Sequence, residues 1–258
     1  MRLGAEVWAV NTVQFSNHPG YGGHRGDVYS GAQITALVDG IAERGVLGRC
    51  DAVLSGYLGE AAIGEAVLHA VTRVKQENPG ALYCCDPVIG DDGPGVYVRP
   101  GIDTLLRHKL LPMADIATPN RFELSHLTGL PTSTLAEAKR AVAALQAIGP
   151  RTVLVTSLVT DDTPEGHIDM LAGQDGAFHL LRTPVLPVRV NGAGDSLSGL
   201  FLFHMQASGD AAAALSAAGS SIFGVLRHTQ ATGQRELQIV AAQQEFVTPS
   251  TVFDAVSC

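Results

Sequence analysis

At 258 residues, 46% apolar and 5% aromatic with Ala, Gly, Leu and Val dominant, the chain has room for one large domain of alternating helices and buried strands rather than a β-sandwich. Its formal net charge of −8, with no basic run, argues against a nucleic-acid or anionic-membrane surface. No apolar stretch reaches the about 18 residues of a membrane span, the N-terminus does not resemble a signal peptide, and Cys50, Cys84, Cys85 and Cys258 lack metal-site spacing, so reduced thiols in a cytoplasmic protein are expected.

Glu6 to Val13 is rich in Val, Trp and Ala and predicts a strand, followed by a polar, Gly-rich loop from Ser16 to Gly26. Ser30 is placed to cap a helix whose apolar stripe is Ile34, Leu37, Val38 and Ile41, with Gly45 near its end. Ala52 to Leu54 predicts a short strand opening into Ser55-Gly56-Tyr57-Leu58-Gly59. Ile63, Val67, Ala70, Val71 and Val74 share the face of a second helix, stopped by Asn78-Pro79-Gly80. Two further strands, Ala81 to Cys85 and Ile116-Ala117, run into Asp86-Pro87 and Thr118-Pro119-Asn120. Thr134 with Glu137 forms a capping box for a helix ending at Gly149-Pro150, and Thr152 to Val155 is the next strand. Three strands thus end in polar residues after helical crossovers, the pattern of a parallel sheet with its site at the strand ends. Ile168 to Ala172 and Phe178 to Leu181 predict a hairpin, Gly192 opens a helix to about Phe203, and Asp210 caps another. No linker or repeat divides residues 1–258, which are expected to form a single domain.

Asn191-Gly192-Ala193-Gly194-Asp195 carries the strongest chemical signal. Two glycines entering a helix let the N–H groups of Gly192, Ala193 and Gly194 converge on an anion, and Asp195 stands beside them to accept a proton. The string alone is weak, and a helix start capped by Asp remains an equal reading. Asp86 and Asp91 at a strand end offer oxygen ligands for Mg²⁺, or are solvated loop acids. Asn120 and Glu123 place an amide and a carboxylate at a strand-to-helix junction, where a plain capping box is as good a reading. Thr156-Ser157 could be an ordinary turn, and His18 and Tyr57 ordinary surface. Only three of the 17 cations are lysines (Lys75, Lys109, Lys139) and none follows a Gly-rich loop, which excludes a Walker-type phosphate loop.

The order of these strings, together with Val10-Asn11-Thr12-Val13-Gln14-Phe15-Ser16-Asn17-His18, resembles the pyridoxal kinases of the ribokinase-like superfamily from about Leu3 to Glu236-Leu237-Gln238-Ile239-Val240. The resemblance implies an α/β, ribokinase-like three-layer sandwich with a central, mostly parallel sheet, and a homodimer. It implies ATP-dependent phosphorylation of the 5′-hydroxymethyl group of pyridoxal, pyridoxine and pyridoxamine in pyridoxal 5′-phosphate salvage. Asp195 would be the catalytic base and Gly192, Ala193 and Gly194 the anion hole. Asp86, Asn120, Glu123, Thr156 and Ser157 would serve ATP; Asp86, Asp91, Thr118 and Glu123 would serve Mg²⁺, with K⁺ as a further cofactor. Val13, Phe15, His18, Pro19, Tyr57 and Asp195 would line the pyridoxal pocket. Two departures stand out. Family members begin with a further strand and helix, about two dozen residues ahead of this start, so a misassigned start at Met1 is expected; and Pro19 replaces a Thr common in relatives. The rivals are a hydroxymethylpyrimidine kinase and a non-catalytic pyridoxal phosphate or nucleotide binder.

Overall fold

A computed structural model describes residues 2–258. A short antiparallel pair comes first, β1 (Val13–Phe15) with β2 (Gly26–Val28). Then follow α1 (Gly31–Ala42), β3 (Ala52–Ser55), α2 (Ala61–Glu77), β4 (Leu82–Cys85), the small ribbon β5 (Gly90–Asp91) and β6 (Gly95–Val96), α3 (Ile102–Leu105) and β7 (Ile116–Ala117). The chain continues through α4 (Arg121–Thr128), α5 (Leu135–Gln146), β8 (Thr152–Leu158), β9 (His167–Gln174), β10 (Ala177–Pro184), α6 (Ala193–Ser208), α7 (Ala211–Thr232) and β11 (Val256–Ser257). The central sheet has seven strands in the order β11-β10-β9-β8-β7-β4-β3. β3, β4, β7 and β8 run parallel, and the hairpin β9–β10 and then β11 extend the sheet antiparallel.

Strand alternation assigns the two faces. Tyr83, Cys85, Ala117, Val153, Val155 and Leu171 pack against α1 to α5. Their neighbours Cys84, Ile116, Leu154, Met170, Ala172 and Leu181 pack against α6 and α7. The adjacent cysteines therefore face opposite layers, both fully buried and free. Parallel strands covered on both faces read as continuous apolar runs, as Val153-Leu154-Val155 does.

Local signals place the elements. Ser30 with Gln33, and Thr134 with Glu137, make reciprocal capping boxes, and the Asp210 carboxylate accepts the Ala212 and Ala213 N–H groups. Asp175 and Gly176, both at positive φ, make the two-residue turn between β9 and β10. Arg182 donates to both oxygens of the buried Asp169 across that hairpin.

Two expectations need correction. The predicted strand from Glu6 to Val13 is not formed: only Val13 enters a ladder, with β2, and Glu6 to Thr12 has no strand beside it. A ladder is a tertiary event, and composition cannot supply the neighbour. Leu37 does not join the core stripe of α1; it is 53% exposed while Ile34 and Val38 are buried.

Candidate active site

α6 begins at a residue only glycine holds comfortably. Gly192 has φ +85°, and the Ser196 N–H and hydroxyl both bond its carbonyl, fixing the first turn. α1, α4, α5 and α7 receive a side-chain cap; α6, like α2 and α3, does not. Its leading N–H groups thus face outward as donors at the positive end of the helix dipole. Asp195 lies in this first turn with its carboxylate exposed. It does not cap its own helix, so the capping alternative for Asp195 is excluded. Gly192→Ala is expected to lower stability by about 1–2 kcal/mol from the left-handed φ alone, which thermal unfolding checks.

Three buried groups meet behind that turn. Asp86, 7% exposed at the end of β4, accepts a 2.9 Å bond from the Ser198 hydroxyl, which is itself 2.8 Å from the Thr118 hydroxyl after β7. Burial pushes the Asp86 carboxyl well above the usual range, with Glu123 and then Asp195 adding repulsion. Glu123, 3% exposed, accepts the N–H groups of Asn120 (2.8 Å), Ile89 (2.9 Å) and Gly90 (3.4 Å). Burial outweighs those donors and pushes it up to about 7. A buried acidic centre that resists ionisation in isolation is poised to receive positive charge.

The capping-box reading of Asn120 and Glu123 is borne out, and it is not the whole of their geometry. Asn120 Oδ1 accepts the Glu123 N–H while Nδ2 donates to the Gly90 carbonyl, so its amide is committed to tying α4 to the β5–β6 ribbon. Thr156 is buried and its N–H bonds the Pro119 carbonyl. Ser157 is exposed with φ +51°, at a register shift between β8 and β9. A non-glycine residue in that region stores strain, so Thr156-Ser157 is not an ordinary turn. Asp91 is exposed, and its carboxylate accepts the Asp92 N–H.

The other flank of the Gly192 turn is built from loops. His18 Nδ1 accepts the Gly20 N–H and caps a short turn, Pro19–Tyr21, in which Pro19 holds the first position. The missing proline N–H costs nothing there. Tyr21 reaches across to donate to Glu236 Oε1 at 2.7 Å, with Arg235 over its ring, and Asn191 and Glu236 form a parallel bridge. The Ser16–Gly26 loop is thereby held beside Gly192. The Thr12 hydroxyl donates to the Tyr57 carbonyl, joining the two loops, while Val13 packs near Gly59 and the Phe15 and His24 rings meet at a tilt of 46°, centroids 4.2 Å apart.

Three participants escaped sequence reasoning. Ser198 is three residues after Asp195, hence on the same helix face, a spacing that could have flagged it. Tyr21 was visible only as part of a polar loop. Tyr97, whose hydroxyl is pushed far up by burial and then by Glu123, Asp91, Asp86 and Asp195, sits among the acids after β6 without any sequence signal. Among the described residues no group of three or more His, Cys, Asp or Glu side chains forms a ready-made metal cage. Mg²⁺ needs none, because it takes one or two carboxylates and completes its shell with waters and phosphates. The hard, mutually repelling oxygens of Asp86 and Glu123 fit that demand.

Residues 32–240 match the family described as phosphomethylpyrimidine kinase. The chain is 58% identical to pyridoxal kinase PdxY of Granulibacter bethesdensis over 99% of its own length and 91% of that protein. It is 51% identical to the PdxY of Rubrobacter xylanophilus, over 98% and 87% respectively. The structure superposes on pyridoxal kinase from Leishmania donovani in complex with ADP and pyridoxine with TM-score 0.91 and 27% identity, covering all of this chain and 90% of that one. The complex with ADP and pyridoxamine gives TM-score 0.90 at 27% identity, over 100% and 91%. With its ribokinase-like fold, uncapped Gly-Ala-Gly turn and buried acidic centre, the chain belongs to the pyridoxal kinases.

Proposed function

We propose that the chain transfers the γ-phosphoryl group of ATP to the 5′-hydroxymethyl oxygen of pyridoxal, and also of pyridoxine and pyridoxamine, in vitamin B6 salvage. The observation that carries the mechanism is Asp195, an exposed carboxylate on an uncapped helix start. The acceptor hydroxyl gives its proton to Asp195 as its oxygen bonds the γ-phosphorus, and the bond from that phosphorus to the β,γ-bridging oxygen breaks to release ADP. The N–H groups around Gly192, Ala193 and Gly194 stabilise the charge on the transferring group.

Asp86 and Glu123 would hold Mg²⁺, with Thr118 and Asp91 at its margin, and the ion when bound screens the phosphate charge. K⁺ is assigned here as a second cation. Asn120 acts by positioning Glu123, and Thr156 and Ser157 face the nucleotide. Val13, Phe15, His18, Pro19 and Tyr57 line the acceptor pocket. We further assign residues 1–258 to one kinase domain that works as a homodimer in the cytoplasm, where buried free thiols such as Cys84 and Cys85 stay reduced. No helix among the described residues is long and apolar enough to cross a membrane.

The match of residues 32–240 favours one rival, a hydroxymethylpyrimidine kinase. Comparison of kcat/KM for pyridoxal and for hydroxymethylpyrimidine, each with ATP and Mg²⁺, separates the two. Pyridoxal is expected to lead by at least about tenfold, a difference of about 1.4 kcal/mol in transition-state binding. The reverse preference would replace the assignment.

A further inference from the structure

Residues 16–25 form a loop that closes mostly on itself. Asn17 Nδ2 donates to the His18 carbonyl at 3.1 Å and to the Gly23 carbonyl at 2.8 Å, and the Ser16 N–H bonds the Arg25 carbonyl at 2.8 Å. Among the described residues, Tyr21 alone carries hydrogen bonds from this loop to distant parts of the chain. Its hydroxyl donates to Glu236 Oε1 at 2.7 Å, with the Arg235 carbonyl at 3.2 Å, and the Asn191 side chain bonds the same oxygen. The Arg235 guanidinium stands 4.9 Å from the ring centroid. On its far side the same segment meets the start of α6. The Glu236 backbone pairs with Asn191, and Leu237 packs on Gly192, where a Cβ would lie 3.7 Å from Leu237 Cδ1. Gly20 also faces Asn191, since a Cβ there would lie 3.7 Å from Asn191 Oδ1. Residues 235–237 are thus a wedge with the loop on one face and Asn191-Gly192 on the other. Glu236 is exposed and Tyr21 only partly buried, so little of the fold's stability depends on their contact.

We propose that Tyr21 is a positioning residue for phosphoryl transfer: through Glu236 it sets the Asn191-Gly192 turn against the loop that carries His18 and Pro19. The role rests on the kinase reading of this site. The donors around Gly192 and the walls of the acceptor pocket come from opposite ends of the chain, and transfer requires the two to be held in register. A loop free to drift by about 1 Å still binds its ligand, but it presents the acceptor hydroxyl off line to the γ-phosphorus, which lowers kcat more than it raises KM. Glu236 serves only as an acceptor for the Tyr21 hydroxyl, so its oxygen is needed and its charge is not.

Tyr21→Phe removes the hydroxyl and keeps the ring under Arg235. It is expected to lower kcat for pyridoxal phosphorylation about five- to twentyfold, with KM for ATP and for pyridoxal changed by no more than about threefold and Tm by no more than about 2 °C. Glu236→Gln keeps an oxygen for the hydroxyl and is expected to retain at least about half of kcat, whereas Glu236→Leu should match Tyr21→Phe. The double variant Tyr21→Phe/Glu236→Leu should be no slower than either single variant, because both remove the same bond. A kcat for Tyr21→Phe within about twofold of the parent, or losses that multiply in the double variant, would overturn the positioning role and leave the kinase reading intact. A parent chain that forms no pyridoxal 5′-phosphate would overturn the kinase reading, and this role with it.

Discussion

Replacing Asp195 with alanine is expected to lower kcat by about 10²–10⁴-fold, the range that a positioned general base supplies, while changing the affinity for ATP by no more than about threefold. The asymmetry follows from the geometry. Asp195 is exposed in the first turn of α6 and holds none of the buried network, so its loss leaves Asp86, Ser198 and Thr118 bonded as before. The variant should even bind ATP somewhat better, because a carboxylate is removed from beside an anion site. Initial rates and nucleotide titration on the same preparation check both halves. A variant with near-normal kcat would mean that the acceptor proton goes elsewhere.

A second large effect is expected in the pH dependence of stability. Glu123 is held near 7 when folded against an ordinary value of 4.5. Between those values the folded state binds the more protons, so unfolding gains from each rise in pH. The stabilisation is complete below about pH 4.5, declines through the interval and is gone above about 7; a shift of this size is worth on the order of 3 kcal/mol. Asp86 is shifted in the same direction and adds to the slope. Urea unfolding of the ligand-free chain at pH 5.5 and 7.5 is expected to show the loss. Glu123→Gln should show a shallower slope, together with a stability penalty of about 1–3 kcal/mol at the lower pH, since its amide NH₂ must face a backbone donor. An equal slope in the variant would place the titration on other groups. Mg²⁺ with ATP should recover stability at the higher pH, where the carboxylates are charged.

Local chemistry was legible in the sequence wherever it settled the structure. Ser30, Thr134 and Asp210 cap their helices because a short oxygen-bearing side chain before an apolar stripe has one good use. Asp175-Gly176 turns its hairpin because few residues accept consecutive positive φ. The strand ends at Asp86, Thr118 and Thr156 were legible as the edge of a parallel sheet, and that edge is where the acids gather. The rest depends on distant partners. Glu6 to Thr12 has strand composition and no neighbour to pair with, Leu37 fits a stripe that the packing of α1 turns to solvent, and Tyr97 enters the site only because the β5–β6 ribbon folds over Glu123. Asn120 gave two readings from sequence, and the structure uses the capping one to aim a buried carboxylate.

The central claim is phosphoryl transfer from ATP to the B6 hydroxymethyl group at Asp195. Single-turnover mixing of the whole chain, in excess over pyridoxal, with ATP and Mg²⁺ tests it most directly, with ADP and pyridoxal 5′-phosphate quantified in each quenched sample. One ADP is expected for each pyridoxal 5′-phosphate, both rising together and both suppressed at least about a hundredfold in Asp195→Ala. ADP released without pyridoxal 5′-phosphate, or ATP bound and left intact beside bound pyridoxal, would contradict it.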